Sequence, residues 1–245
     1  MLHAMNFCSF LSSADGKRAR RTLANLHRHR IEALVLTGGF ATELHLLQRG
    51  LPVSTRPLND IDFLVGLFGE IPTTLGGHFI FRHVHPHDPP GKTLLQAVDP
   101  DTAVRADVFR AYGGEMERAN CMEIDGLSMR VIGLNDLIAR AARLCLDLMS
   151  HTPVPAKHAR DFLRMLPFAD RDSIEPIWQE HRKPSHPESF AEAATQINNL
   201  IPLRKDLQIE VECSRDVHAN CSRCEPTAEF PLADAVQVLS LLGYC

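Results

Sequence analysis

The order of elements between residues 31 and 65 constrains the fold of this chain more than any other feature. An apolar strand pattern at 33–37 runs into the paired glycines Gly38 and Gly39, and the segment ATELHLLQRG that follows has helical spacing. A loop then leads to DIDFLV, which alternates polar and apolar residues as a half-buried strand does. A strand, a glycine turn, a helix and a second strand in this order predict an α/β domain.

Three aspartates on two predicted strands form a candidate metal site. Asp60 and Asp62 lie two residues apart, so both side chains project from one face of their strand. Neighbouring carboxylates repel each other unless a cation lies between them, and a divalent metal ion is a common solution. A third acid, Asp107, interrupts the apolar strand pattern VRADVF. If the two strands pair, the three carboxylates converge as two-metal phosphoryl transfer requires.

The glycine pair supplies a candidate phosphate site. Without side chains, Gly38 and Gly39 would let backbone N–H groups at the start of the helix approach a phosphate. Gly39 precedes Asp60 by 21 residues. Taken singly, a glycine pair is usually only a turn and an Asp-x-Asp pair is usually only a polar strand face. The order of the elements therefore carries the interpretation.

The remaining pattern divides the chain into an α/β front half and a helical rear half. Residues 17–30 form a basic amphipathic segment, Asp125 and Gly126 mark a hairpin turn, and helical spacing begins at Leu134. Further strands are expected at 78–83, 94–98 and 104–109, and further helices at 156–166, 173–181, 190–200 and 232–242. The predicted domains are an N-terminal segment with the basic helix (1–30), an α/β core (31–132), a helical domain (133–205) and a tail rich in cysteine and histidine (206–245).

Charge and apolar content limit the kinds of nucleic-acid and membrane partner that the chain is expected to have. The 245 residues include 26 Lys and Arg against 30 Asp and Glu, a formal net charge of −4, so a nucleic-acid contact must come from a local basic patch. The longest apolar runs are far shorter than the roughly 20 residues of a membrane helix, so no membrane partner is expected. The N-terminal apolar residues precede the basic run KRARR, the reverse of the order in a secretory signal, and a cytoplasmic location is expected.

The cysteines cluster near the C-terminus. Of 7 cysteines, Cys213, Cys221 and Cys224 lie close together around His218, and a Cys-x2-Cys pair forms one corner of a tetrahedral zinc site. Cys213 and His218 would supply the other two ligands, and Cys245 is a substitute for either. A structural Zn²⁺ ion, reduced surface cysteines and redox chemistry are all consistent with this spacing.

The motifs resemble those of a known family. The segments LTGGFATELHLLQRG and RPLNDIDFLV, followed by VRADVF, are similar to the nucleotidyltransferase fold of the polymerase-beta superfamily. Within it they most resemble the abortive-infection toxins of the AbiEii type and related minimal enzymes. The resemblance covers about residues 31–165. It implies a mixed sheet with flanking helices, followed by a helical C-terminal region with a cysteine-rich tail.

The resemblance also implies roles for individual residues and partners. The implied partners are a nucleoside triphosphate, an acceptor that is RNA or tRNA, a protein or a small molecule, and an antitoxin. His45 also matches a position common in the group. The residues implied to bind Mg²⁺ or Mn²⁺ and to carry catalysis are Asp60, Asp62 and Asp107. The residues implied to bind the nucleotide are Gly38, Gly39, Arg56, Lys157 and Arg160.

Two positions depart from the family pattern. Phe40 follows the glycines where family members often carry Ser or Thr, and Leu58 stands two residues before the first aspartate where a hydroxyl residue is common. A lost hydroxyl would remove a phosphate contact without removing the metal site. Three functions therefore stay open: a metal-dependent nucleotidyltransferase, a binding module of the same fold with weak or no activity, and a zinc-bearing nucleic-acid adaptor.

Overall fold

The computed structural model of the chain describes residues 5–83, 94–149, 156–200 and 228–229. Its helices are α1 (Ser13–His27), α2 (Gly38–Gln48), α3 (Leu134–Met149), α4 (Ala156–Met165), α5 (Arg171–His181) and α6 (Phe190–Leu200). Its strands are β1 (Val35–Leu36), β2 (Asp60–Val65), β3 (Ile80–His83), β4 (Leu94–Asp99), β5 (Val104–Arg110), β6 (Asn120–Ile124), β7 (Leu127–Val131) and β8 (Ala228–Glu229). One compact unit spans Met1–Ala111, Ala119–Val131 and Cys213–Cys245, and a second spans Tyr112–Arg118 and Ile132–Glu212.

The first unit is built on a mixed sheet. In the described residues its strand order is β6-β7-β1-β2-β5-β4-β3-β8. Strand β2 pairs in parallel with β5 and antiparallel with β1, and β4 pairs antiparallel with β5. Helices α1 and α2 belong to the same unit. The predicted α/β class, with a mixed sheet and flanking helices, is thus confirmed.

Apolar side chains fix the pairing of the two central strands. In β2 the side chains of Ile61 and Phe63 are buried, as are those of Ala106 and Val108 in β5. The register sets Ile61 opposite Ala106 and Phe63 opposite Val108, so these residues share one face. A slip by one residue would turn this apolar set to the other face, which burial strongly disfavours. The opposite face carries the polar residues of both strands, together with the buried Leu64 of β2.

Helix α1 begins earlier than the sequence pattern predicts. The basic segment predicts a helix over 17–30, whereas the helix spans Ser13–His27. Ser12 causes the earlier start, because its hydroxyl accepts a hydrogen bond from the Asp15 N–H at 3.1 Å and caps the helix. The predicted apolar stripe is confirmed, since Leu23 and Leu26 are buried.

The second unit is a group of helices that pack on α3. Helix α3 contacts α4, α5 and α6, and it begins where the sequence predicts helical spacing. Residues 112–118 also belong to this unit. Arg118 pairs with the buried Asp136 at 2.7 Å, and Arg140 pairs with the buried Glu115 at 2.9 Å. Removing one partner of a buried ion pair leaves an uncompensated charge, so these pairs hold the short segment to α3.

Part of the predicted tail lies outside the described residues. The candidate zinc ligands Cys213, His218, Cys221 and Cys224 and the helix predicted at 232–242 fall there, so both stay predictions. Within the C-terminal region, β8 pairs antiparallel with β3. None of the helices in the described ranges combines the length and apolar character that a membrane crossing needs.

Candidate active site

Strands β2 and β5 bring the three predicted acids together. Their parallel register sets Asp62 opposite Asp107 and Asp60 opposite Arg105. A carboxylate oxygen from each of the three aspartates lies within 4.8 Å of the other two. Asp107 is buried, whereas Asp60 and Asp62 are half-buried, so the cluster lies between the core and the surface. The pairing of the two strands, on which the convergence of the acids depends, is thus present.

The carboxyl group of Asp107 has a strongly raised pKa. Burial is the main cause that raises its pKa from 3.8 to about 6, with Arg105 acting against the rise and Asp60 adding to it. Arg105 Nε lies 2.8 Å from Oδ1 of Asp107 and forms an ion pair with it. A carboxylate with a pKa near 6 can take up and release a proton close to neutral pH.

Gln96 extends the site to the neighbouring strand. It lies opposite Asp107 in the antiparallel pair of β4 and β5, and its side chain is 3% exposed. A hydrogen bond from its side chain acts to lower the pKa of Asp107. Its Oε1 makes no hydrogen bond within the described residues. Buried acceptors of this kind are rare in folded proteins.

The raised pKa makes stability depend on pH, and Asp107→Asn is expected to stabilise the metal-free protein at neutral pH. Between pH of about 4 and 6 the folded chain keeps a proton that the unfolded chain releases, so stability falls as pH rises through this window. Asparagine does not titrate and avoids this loss. The free energy of unfolding of the variant should therefore exceed that of wild type by roughly 1–3 kcal/mol at pH 7.5.

Denaturant unfolding in EDTA at two pH values measures this difference. Near pH 4.5 the Asp107 carboxyl is mostly protonated and resembles the amide, so the two proteins should differ little. A stability difference of equal size at both pH values would contradict the raised pKa and assign the effect to packing.

The glycine turn lies directly against the acids. Helix α2 begins at Gly38, whose φ is +63°, and a Cβ atom on this residue would overlap the Asp62 carboxylate. Only glycine adopts this backbone conformation without strain and leaves room for that carboxylate. Thr37, the residue before the helix, makes no side-chain capping hydrogen bond. The first N–H groups of α2 are therefore suited to an anion placed next to the carboxylates.

Arg56, predicted to bind nucleotide, is buried beside this turn. Its Nε donates to Oε1 of the buried Glu43 at 2.6 Å, and a Cβ atom on Gly39 would lie 2.8 Å from its Nη1. Oε2 of Glu43 also accepts a hydrogen bond from the Ser54 N–H at 3.1 Å. These bonds tie the loop before β2 to α2. His45, which matches a position common in the family that the motifs resemble, is also buried on α2.

The two departures from the family pattern have a packing reason. Phe40 is buried on α2, and its ring centroid lies 6.0 Å from that of Phe7 and 5.3 Å from that of Phe10. Such aromatic pairs stabilise a core through both burial and ring geometry. Leu58 is buried as well. Both residues therefore serve the core, whereas a Ser or Thr would leave part of it unfilled.

The remaining predicted nucleotide ligands lie in the second unit. Lys157 and Arg160 are on α4, and only the backbone of Lys157 is described. Arg160 is half-buried, and its Nε and Nη2 make no hydrogen bond within the described residues. A guanidinium with unused donors is chemically suited to phosphate. Their roles stay predictions.

In the described ranges, other groups of His, Asp and Glu are also close enough to hold a metal ion. In the first unit the buried Asp99 accepts hydrogen bonds from Asn25 and from the backbone of Asp101, both at 2.9 Å. The acids of the second unit pair with arginines, as described above. These hydrogen bonds and ion pairs explain why the side chains of each group lie close together. The groups are His78, Asp99 and Asp101, and Glu115, Asp136 and His181.

Comparison with known proteins gives remote likenesses. No protein-family model and no curated protein matches the chain. Among solved structures it is similar to a candidate nucleotidyltransferase from Helicobacter pylori, at 15% identity over 94% of this chain and 93% of that chain, with a TM-score of 0.48. It is also similar to JHP933 of Helicobacter pylori (15% identity, 95% and 91% of the two chains, TM-score 0.46) and to the antibiotic-resistance factor ANT(2'')-Ia (17% identity, 77% and 97%, TM-score 0.42). The likeness to AbiEii-type toxins stays a prediction.

Proposed function

We propose that the chain is a metal-dependent nucleotidyltransferase, which moves a nucleoside monophosphate from a nucleoside triphosphate onto an acceptor. The observation that carries this proposal is the convergence of Asp60, Asp62 and Asp107 beside the glycine turn at the start of α2. Carboxylates are the ligands that Mg²⁺ and Mn²⁺ prefer, and a helix N-terminus favours phosphate. A metal ligand set and a phosphate cradle side by side support phosphoryl transfer.

The donor set fits a divalent metal ion. The three carboxylates lie within 4.8 Å of one another, and burial of Asp107 makes their combined negative charge costly. Asp60 and Asp62 would hold Mg²⁺ or Mn²⁺, and Asp107 would contribute to one ion. Such an ion would neutralise triphosphate charge and make the acceptor hydroxyl easier to deprotonate.

Asp107 would also accept the proton of the acceptor hydroxyl. The acceptor oxygen would form a bond to the α-phosphorus while the bond from that phosphorus to pyrophosphate breaks. Pyrophosphate leaves, and the proton moves to the Asp107 carboxylate. The hydrogen bond from Gln96 would keep the carboxylate oriented for this proton transfer.

The triphosphate would lie along the glycine turn. Backbone N–H groups at Gly38 and Gly39 would hold the β and γ phosphates, because the start of a helix favours negative charge. Arg56, Lys157 and Arg160 are proposed as further nucleotide ligands. The position of the Arg56 guanidinium near Gly39 supports the first of these, and the unused donors of Arg160 support the last.

The proposed acceptor is a hydroxyl group on RNA, including tRNA, on a protein or on a small molecule. A formal net charge of −4 gives the whole chain no attraction for a polynucleotide, so an RNA would need a local basic track such as the arginines of α1. A toxin role with an antitoxin partner follows from the family resemblance. A small co-transcribed gene beside this one would support that role.

Transfer is expected to require a divalent metal ion. The full chain would be incubated with each common ribonucleoside triphosphate labelled at the α-phosphate, together with total tRNA or a cell-protein extract. Label should enter RNA or protein with Mg²⁺ or Mn²⁺, disappear with EDTA and return when excess metal is added. Pyrophosphate release, measured in parallel, reports transfer onto small molecules. If calorimetry shows nucleotide binding but neither label transfer nor pyrophosphate release occurs, the proposal that the chain is a nucleotidyltransferase is contradicted.

A non-catalytic binding module of the same fold is the second candidate. The observation that favours it is Arg105, which contacts Asp60 and Asp107 at 2.8 Å each and partly balances the acids without a metal ion. In such a module the nucleotide would bind at the glycine turn without turnover. The zinc-bearing adaptor depends on the C-terminal cysteines, and a zinc assay with Cys221→Ser would test it.

A further inference from the structure

Arg105 lies within the acidic site without belonging to the predicted ligand set. It precedes Asp107 by two residues on β5, so both side chains project from the same face of the strand. Its Nη2 lies 2.8 Å from Oδ2 of Asp60, and its Nε lies 2.8 Å from Oδ1 of Asp107. Its side chain is 21% exposed. One guanidinium therefore spans carboxylates of two neighbouring strands at the site.

A guanidinium and a divalent metal ion bind to the same carboxylate oxygens of these acids. Each needs carboxylate oxygens at close range, and a cation fixed beside them repels a second cation. The planar fork of arginine lets two of its nitrogens reach two carboxylates at once, which the point charge of lysine does not. Contacts to Asp60 and Asp107 thus occupy oxygens that the proposed metal would require.

We infer that Arg105 acts as an internal counter-ion, which balances Asp60 and Asp107 before a metal ion binds and is displaced when it does. The inference rests on the proposed function, because it concerns the metal site that this function needs. Arg105 is a positioning residue in this role: it holds the carboxylates together before loading and weakens the affinity for the metal. Its partly exposed side chain leaves a direction in which to move.

A purely structural ion pair is the competing explanation. Arg105 lies opposite Asp60 in the strand register, and such cross-strand charge pairs stabilise sheets. Both explanations expect loss of stability when Arg105 is replaced. They differ in the response to Arg105→Lys, because a fixed charge repels the metal ion equally from lysine and from arginine, whereas a counter-ion that occupies the ligand oxygens competes less once the fork is lost.

Arg105→Gln tests the inference, with Arg110→Gln as the matched control. Arg110 is an exposed residue at the other end of β5 and undergoes the same change of charge. Calorimetric titration with Mn²⁺ alone, at one pH and salt concentration, should give at least about tenfold tighter binding for Arg105→Gln than for wild type. Its melting temperature should fall in EDTA and rise more steeply with Mn²⁺ than that of wild type. Arg110→Gln should match wild type in both measurements.

Arg105→Lys provides a second variant if the glutamine variant folds poorly. It keeps the charge but loses the fork, so its Mn²⁺ affinity should lie between those of wild type and Arg105→Gln. Equal or weaker Mn²⁺ binding by both folded variants would overturn the inference and leave Arg105 as a structural ion pair. Failure of the proposed function is a separate result: wild type would then transfer no label, whatever the metal affinities.

Discussion

Asp62→Asn should reduce nucleotidyl transfer at least about a thousandfold, which corresponds to a loss of roughly 4 kcal/mol in transition-state stabilisation. Asparagine keeps the size of the side chain and one oxygen but removes the charge that a divalent ion requires. Asp62 lies opposite Asp107 and touches the glycine turn, so it links the acids to the proposed phosphate cradle. Initial rates of label transfer, at saturating Mg²⁺ and nucleotide, measure the effect.

Asp101→Asn is the matched control for this prediction. Asp101 is an exposed acid of the same unit that pairs with Arg21 at 2.8 Å, and its amide variant changes the net charge equally. Its transfer rate should stay within about twofold of wild type, because exposed pairs contribute little. If Asp62→Asn retains full transfer in Mg²⁺ and Mn²⁺, these carboxylates do not form the catalytic metal site.

Local patterns predicted the central elements because their causes are local. The alternation over residues 60–63 reflects a polar and a buried face, and β2 spans Asp60–Val65 as the pattern predicts. The turn at Asp125 and Gly126 joins β6 to β7, with φ values of 48° and 75°. Both residues adopt the left-handed conformation that a two-residue hairpin turn requires.

Residues that depend on strand pairing could not be identified in the same way. Gln96 reaches Asp107 only because β4 pairs antiparallel with β5 in one register, and the sequence does not state that register. In the sequence, Phe40 indicates only the loss of a hydroxyl. Its packing against Phe7 and Phe10 depends on the tertiary fold. Arg105 had a usable signal, its spacing of two from Asp107, but a lone arginine on a strand is usually solvent-exposed.

Burial adds to what a motif indicates about a residue. Arg56 stands four residues before Asp60, where the resemblance expects a nucleotide ligand, and its guanidinium is near Gly39. The structure adds the ion pair with the buried Glu43, which no local pattern indicated because thirteen residues separate the two. The motif thus located Arg56 near the site but gave no indication of what holds it there.

Gly38→Ala is expected to lower the free energy of unfolding by roughly 2–4 kcal/mol and to weaken metal binding. Two causes act together, because the residue has a φ of +63° and its new Cβ would overlap the Asp62 carboxylate and lie 2.7 Å from its Cγ. Asp62 would have to turn away from the other acids. Denaturant unfolding and Mn²⁺ titration measure the two effects.

Gly126→Ala separates the backbone cause from the steric one. Its φ is +75°, but a Cβ atom there meets nothing within 4 Å, so this variant should lose only about 1–2 kcal/mol and keep its metal affinity. Equal losses in the two variants would show that the close approach of Gly38 to Asp62 has no energetic consequence.

A double-mutant cycle with Asp62→Ala isolates the contact between the turn and the acid. Removing the carboxylate takes away the two atoms nearest to the added Cβ, Oδ2 and Cγ, and leaves the backbone strain at Gly38 unchanged. Gly38→Ala should therefore be less destabilising by at least about 1 kcal/mol in the Asp62→Ala background than in wild type. Additive losses would mean that the carboxylate adds no cost beyond the backbone strain at Gly38 and the remaining contact with the Cβ of Asp62 at 2.9 Å. A positive coupling would make the glycine turn and the acids one structural unit, in which the residue that admits a phosphate also sets the position of a metal ligand.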